Sequence, residues 1–156
     1  RLCTFRPANA VQNLCTFKPA NLSQTLHFST GGDRDHIAPG DGHYALLKEI
    51  EKRRLAFMIT ELDIGIDVVP FPRSDPNRGL EPKSRADVAE QAKLYADVFK
   101  MALSFKNCHG IQMWGFTDRH SWIPDYQQGK GAALLFDSAY TPKPAERAVL
   151  AVLQGN

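Results

Sequence analysis

Cysteine is scarce in this 156-residue chain, and so are the arrangements that give cysteine a function. Cys3, Cys15 and Cys108 form an odd set without CxxC spacing, which implies neither a zinc site nor a disulfide framework. Inert thiols are the ordinary reading, and a Cys3–Cys15 pair stays open because both occupy the same place in a short duplication. No apolar run approaches the roughly 18 residues of a membrane span. Residues 1–25 lack the charged start and continuous apolar centre of a signal peptide. Nor is there an excess of one charge: the net value is +2, and the basic residues are scattered, so neither nucleic acid nor a membrane is expected as a partner. A Gly-rich phosphate cradle is also missing.

What is present suits a globular core, with 43% hydrophobic and 23% charged residues. The stretch "LCTFRPAN" at 2–9 returns as "LCTFKPAN" at 14–21, a two-copy repeat too short for a solenoid. Residues 1–35 therefore form a segment of uncertain role. From 29 to 42, "STGGDRDHIAPGDG" is loop chemistry. Its His36, with Asp33, Asp35, Asp41 and the following His43, could offer oxygen and nitrogen ligands. The spacing fits no EF-hand, so neither a metal nor another cofactor is expected.

Beyond that loop the pattern alternates. Ala45, Leu46, Leu47 and Ile50 predict a helix over about 44–53, and "LAFMITELDI" predicts a strand covered on both faces. A long connection with four prolines, 65–83, leads to a capping box at Ser84 and Asp87. Val88, Gln91, Ala92, Tyr95, Val98, Phe99 and Ala102 then recur at helical spacing. "GIQMWGFTD" reads as a second buried strand, followed by a long loop and a closing helix over 145–153. Such alternation argues for an α/β fold with parallel strands, with function at their carboxyl ends.

Two stretches at those ends carry chemistry. Glu61 and Asp63 interrupt an apolar strand, and a period of two sends them to one face, where ionised carboxylates need donors or a cavity. At the equivalent exit of the next strand, "WGFTDRHSW" supplies Trp114, Asp118, His120 and Trp122. Tryptophan stacks on sugar rings or cations, and aspartate holds hydroxyls or a partner side chain. Carboxylates facing tryptophans suit a carbohydrate site.

"MITELDI" at 58–64, "WGFTDRHSW" at 114–122 and "GAALLFDSAYTPKPA" at 131–145 together resemble the carboxyl-terminal half of glycoside hydrolase family 10, the endo-1,4-β-xylanases. The resemblance covers roughly 36–153 and implies a partial (β/α)8 catalytic domain over 36–156, comprising about strands six to eight. It implies Glu61 as the catalytic nucleophile of a retaining mechanism and Asp63 as a carboxylate supporting it. Trp114 would form the floor of the sugar subsite beside the scissile bond, Trp122 its cover, and Asp118 a further substrate contact. His36 is the candidate partner of the nucleophile, with His27 in "LHFSTGG" as the alternative. The chain departs from the family at Arg54, where "RGL" is common, and at Glu146, where an aromatic usually follows "PKPA".

A retaining glycosidase needs a second carboxyl group roughly 5 Å from the nucleophile to act as acid and base. The family carries it in an Asn-Glu motif on the fourth strand, and no Asn-Glu dipeptide occurs here. A closed barrel also needs about 250 residues. The expectation is a xylan-acting hydrolase portion with little or no activity alone, secreted by resemblance. Its partners would be xylan or xylo-oligosaccharides and a complementary amino-terminal half. A non-catalytic carbohydrate-binding remnant and a retaining β-glucanase are the alternatives.

Overall fold

The structure, a computed structural model, describes residues 24–29, 42–72 and 74–155. The two-copy repeat and the aspartate-rich loop with His36 lie outside the described residues. In chain order the elements are β1 (Gln24–Ser29), α1 (Gly42–Lys52), β2 (Phe57–Asp63), β3 (Ile66–Asp67), α2 (Arg85–Leu103), β4 (Cys108–Met113), α3 (Ile123–Tyr126), β5 (Lys130–Gly131) and α4 (Pro144–Leu153). A 3-10 turn at Asp118–His120 precedes α3. β1, β2 and β4 form one parallel sheet in that spatial order, and β3 pairs antiparallel with β5.

The helices explain themselves locally. Ser84 caps α2, its side chain accepting from the backbone N–H of Asp87 at 3.1 Å. Gln91, Tyr95, Val98, Phe99 and Ala102 are buried at the expected spacing, joined by Met101. Of the residues expected to line α1, Leu47 and Ile50 enter the core, Leu46 packs against it, and Ala45 is exposed. At the end of α1, Leu55 N donates to Ile50 O and Arg54 N to Glu51 O, a Schellman closure with Arg54 at φ +57°. Glycine suits that left-handed backbone, which gives the Arg54 departure a physical meaning.

One core gathers Leu47 and Ile50 from α1, Tyr95, Val98 and Ala102 from α2, and Ala145 and Val149 from α4 against Phe57, Ile59, Leu62 and Ile64. Three helices thus cover a single face of β2, and the strands follow one another spatially in chain order. That is the arrangement of a barrel wall, whereas a doubly wound sheet carries helices on both faces and reverses its strand order. β4 is less covered than its apolar sequence suggests: His109 and Gln112 are exposed because β4 has a strand neighbour on one side only among the described residues.

The core cluster also shows a change of phase. Phe57 and Ile59 belong to it, and then Leu62 and Ile64, so the alternation shifts by one across Thr60 and Glu61. The pairing of β2 with β4 is irregular at the same place, between Ile59 and Leu62, and Glu61 stands at φ +61°. A bulge of this kind resets which residues face the core. Without it Glu61 and Asp63 would follow Phe57 and Ile59 into apolar packing; with it they fall between the core positions.

Candidate active site

The bulge sets the site at the carboxyl end of β2. Glu61 is half-buried in a left-handed conformation, a strained choice for a residue with a long side chain. Next to it, Leu62 O accepts from Trp114 N at 3.1 Å, which brings the residue just past β4 beside the end of β2. Trp114 is 47% exposed, so it is not the core tryptophan that a strand end often carries. Asp63 is buried, and its Oδ2 accepts from Trp122 Nε1 at 2.6 Å. Asp63 and Trp122 are thus in contact, and Glu61 and Trp114 stand at the two adjacent strand exits that the Leu62–Trp114 backbone bond joins.

A buried polar frame holds those exits. Gln91 Nε2 donates to Ile64 O at 2.6 Å and to Ala132 O at 2.7 Å, while the Tyr95 hydroxyl donates to Ala133 O at 2.6 Å. Burial, helped by the nearby Asp63 charge, pushes the Tyr95 phenol well above its ordinary range, so it stays a donor. Backbone carbonyls at a strand end that would otherwise lose water are satisfied this way.

Asp118 belongs to the frame and faces the protein interior, which corrects the expectation of a substrate contact. It is 4% exposed; its Oδ1 accepts from Leu134 N at 2.7 Å and its Oδ2 from Lys143 Nζ at 2.9 Å. Lys143, also buried, donates in addition to Ala132 O at 2.6 Å. With both oxygens engaged inside the protein, Asp118 has no free edge for a hydroxyl. Burial raises the Asp118 carboxyl and lowers the Lys143 ammonium, each effect opposed by the partner's charge. His120 is exposed in the 3-10 turn.

The loops after β2 and β4 are fastened to each other. Gly79 O accepts from Ala132 N at 2.7 Å, and a Cβ on Gly131 would lie 2.1 Å from Gly79 O. Gly79 itself stands at φ +74°. Arg78 grips Asp125 Oδ1 through Nε at 2.9 Å and Nη2 at 2.6 Å, and Lys130 pairs with Asp67 at 2.7 Å. Sequence reading missed this clamp, since its partners lie in loops 47 residues apart.

The sequence profile of glycosyl hydrolase family 10 matches residues 26–152. This chain belongs to glycosyl hydrolase family 10. Endo-1,4-β-xylanase B of Thermotoga neapolitana is 40% identical over 108 residues, 69% of this chain and 28% of its own length. Endo-1,4-β-xylanase 2 of Aureobasidium pullulans is 38% identical over 92 residues, 59% of this chain and 25% of its own. The crystal structure of xylanase 10B from Thermotoga petrophila, in complex with xylobiose, matches 85% of this chain and 36% of that chain at 29% identity and TM-score 0.66. The chain therefore spans about a quarter of the length of the curated family 10 relatives it matches. The match begins inside β1, in the segment that sequence patterns left unassigned.

Among the sequence-derived candidates, Asp63 and Trp122 are hydrogen-bonded, Glu61 and Trp114 stand at adjacent strand exits, Asp118 turns inward, and His36 lies outside the described residues. His27 is on β1, paired with Thr60, one residue before Glu61.

Proposed function

We propose that this chain supplies strands six to eight of a retaining endo-1,4-β-xylanase, with β1, β2 and β4 in those places. Glu61 is the nucleophile in this reading, Trp114 and Trp122 bound the sugar beside the scissile bond, and Asp63 positions Trp122. The observation that carries it is the bulge at Glu61, which takes a carboxylate out of core phase at the strand exit where Leu62 O accepts from Trp114 N. His27 is better supported than His36 as the nucleophile's partner, because its backbone sits on the neighbouring strand beside Thr60.

Chemically the chain provides half of a mechanism. Glu61 attacks the anomeric carbon and forms the glycosyl ester; the proton for the leaving oxygen must come from a second carboxyl group roughly 5 Å away. That group, and the strands pairing with the outer edges of β1 and β4, belong to the complementary part of the barrel. Xylan is too large to enter a cell, so we place the action outside it.

The test is an assay of reducing sugar released from xylan, with the chain alone and with the missing barrel portion supplied in trans or in cis. The chain alone should be inactive, and the completed barrel active in a Glu61-dependent manner, losing activity in Glu61→Gln. Activity of the chain alone that survives Glu61→Gln overturns the reading.

A further inference from the structure

We propose that Tyr126 is a second aromatic sugar platform that carries the oligosaccharide-contacting surface beyond Trp122; this rests on the xylan-acting reading above. Each preceding residue of this segment is held in place. Trp122 is tied through Nε1 to Asp63. Ile123 is buried, its Cγ2 3.2 Å from where a Cβ on Gly65 would stand. Pro124 lies against Gly79 so closely that a Cβ there would be 2.3 Å from its Cγ. Asp125 is gripped by Arg78 through two nitrogens.

After four anchored residues comes Tyr126, 77% exposed, the most exposed large apolar side chain among the described residues. Its ring centroid is 5.3 Å from that of Trp122, with the planes at 56°. Nothing about the folding of α3 requires an aromatic there, since burial contributes little to so open a side chain. A ring on a backbone held by four anchored residues loses little entropy when a ligand arrives, which is the property of an effective contact surface. Its amphipathic character matches a pyranose, apolar on its faces and hydroxylated at its rim. The tilt between the two rings forms a corner, so that a chain of sugars leaving Trp122 meets Tyr126 at the next unit or the one after.

Length dependence of binding tests this. The full chain is titrated with xylobiose and with xylohexaose, followed by tryptophan fluorescence and calorimetry, in the wild type, Tyr126→Ala and Tyr126→Phe. The expected result is a loss of about three- to tenfold in xylohexaose affinity for Tyr126→Ala, with xylobiose affinity unchanged within about twofold and Tyr126→Phe close to wild type. Equal affinity of wild type and Tyr126→Ala for xylohexaose overturns the platform while leaving the xylan-acting reading in place. Wild-type protein that binds neither oligosaccharide, alone or in the completed barrel, overturns both.

Discussion

Trp122 donates its indole N–H to Asp63 at 2.6 Å, a bond that spans 59 residues of sequence and joins the loop after β4 to the last residue of β2. Two positions before Asp63 stands Glu61, so the strand of the proposed nucleophile and the residue proposed to cover the sugar share one anchor.

Cutting that anchor should separate binding from shape. Asp63→Ala is expected to cost about 1.5–3 kcal/mol, the range for a hydrogen bond to a charged group, and to weaken xylo-oligosaccharide binding through a less ordered Trp122. Asp63→Asn keeps an acceptor and should lose less of both. Urea unfolding and fluorescence anisotropy in a Trp114→Phe background measure the two effects; an unchanged anisotropy in Asp63→Ala would show that Trp122 is held by other contacts.

The buried pair of Asp118 and Lys143 should respond asymmetrically to mutation. Lys143→Met leaves an uncompensated buried carboxylate and is expected to cost about 3–5 kcal/mol at neutral pH. Adding Asp118→Asn, which still accepts from Leu134 N, should restore much of that loss. Urea midpoints of the single and double variants decide the matter.

The same pair sets a pH signature. Asp118 is raised in the folded protein, so between its ordinary value and the raised one the folded state binds the extra proton. Its contribution to stability therefore improves as pH falls through the raised value, opposite to a salt-bridged surface carboxylate. Lys143→Met removes the charge that opposes this rise, so the variant's deficit should shrink on acidification below neutral pH. A deficit independent of pH between about 4 and 7 would contradict the assignment.

Arg54→Gly should stabilise. The left-handed backbone at φ +57° costs an L-residue roughly 1 kcal/mol, partly offset by the extra freedom glycine has when unfolded. A net gain of up to about 1 kcal/mol is expected in thermal or urea unfolding. A loss would mean that the Arg54 side chain contributes more than its backbone strain.

Much of this architecture could be read from one sequence. Helix α2 was legible because its cap and its buried stripe are local, and the exits at Glu61 and Trp114 because motif and strand coincide. The bulge was not: "FMITELDI" is apolar on both alternations, so the slip across Thr60 and Glu61 leaves no mark in the pattern. The role of Asp118 was hidden for another reason, since its partner Lys143 is 25 residues away and a buried aspartate looks the same in sequence as one facing a ligand. β1 was missed because six residues beside a repeat, without strict alternation, carry little signal of their own.

The crossing of Gly79 over Gly131 has a consequence for how such proteins can be rebuilt. With no room for a side chain on Gly131, and with Arg78 and Asp125 latched beside the crossing, the two loops are fastened as one unit. A chimera that takes the proline-rich connection from one parent and the tryptophan-bearing loop from another would inherit two halves of a fastening that do not match.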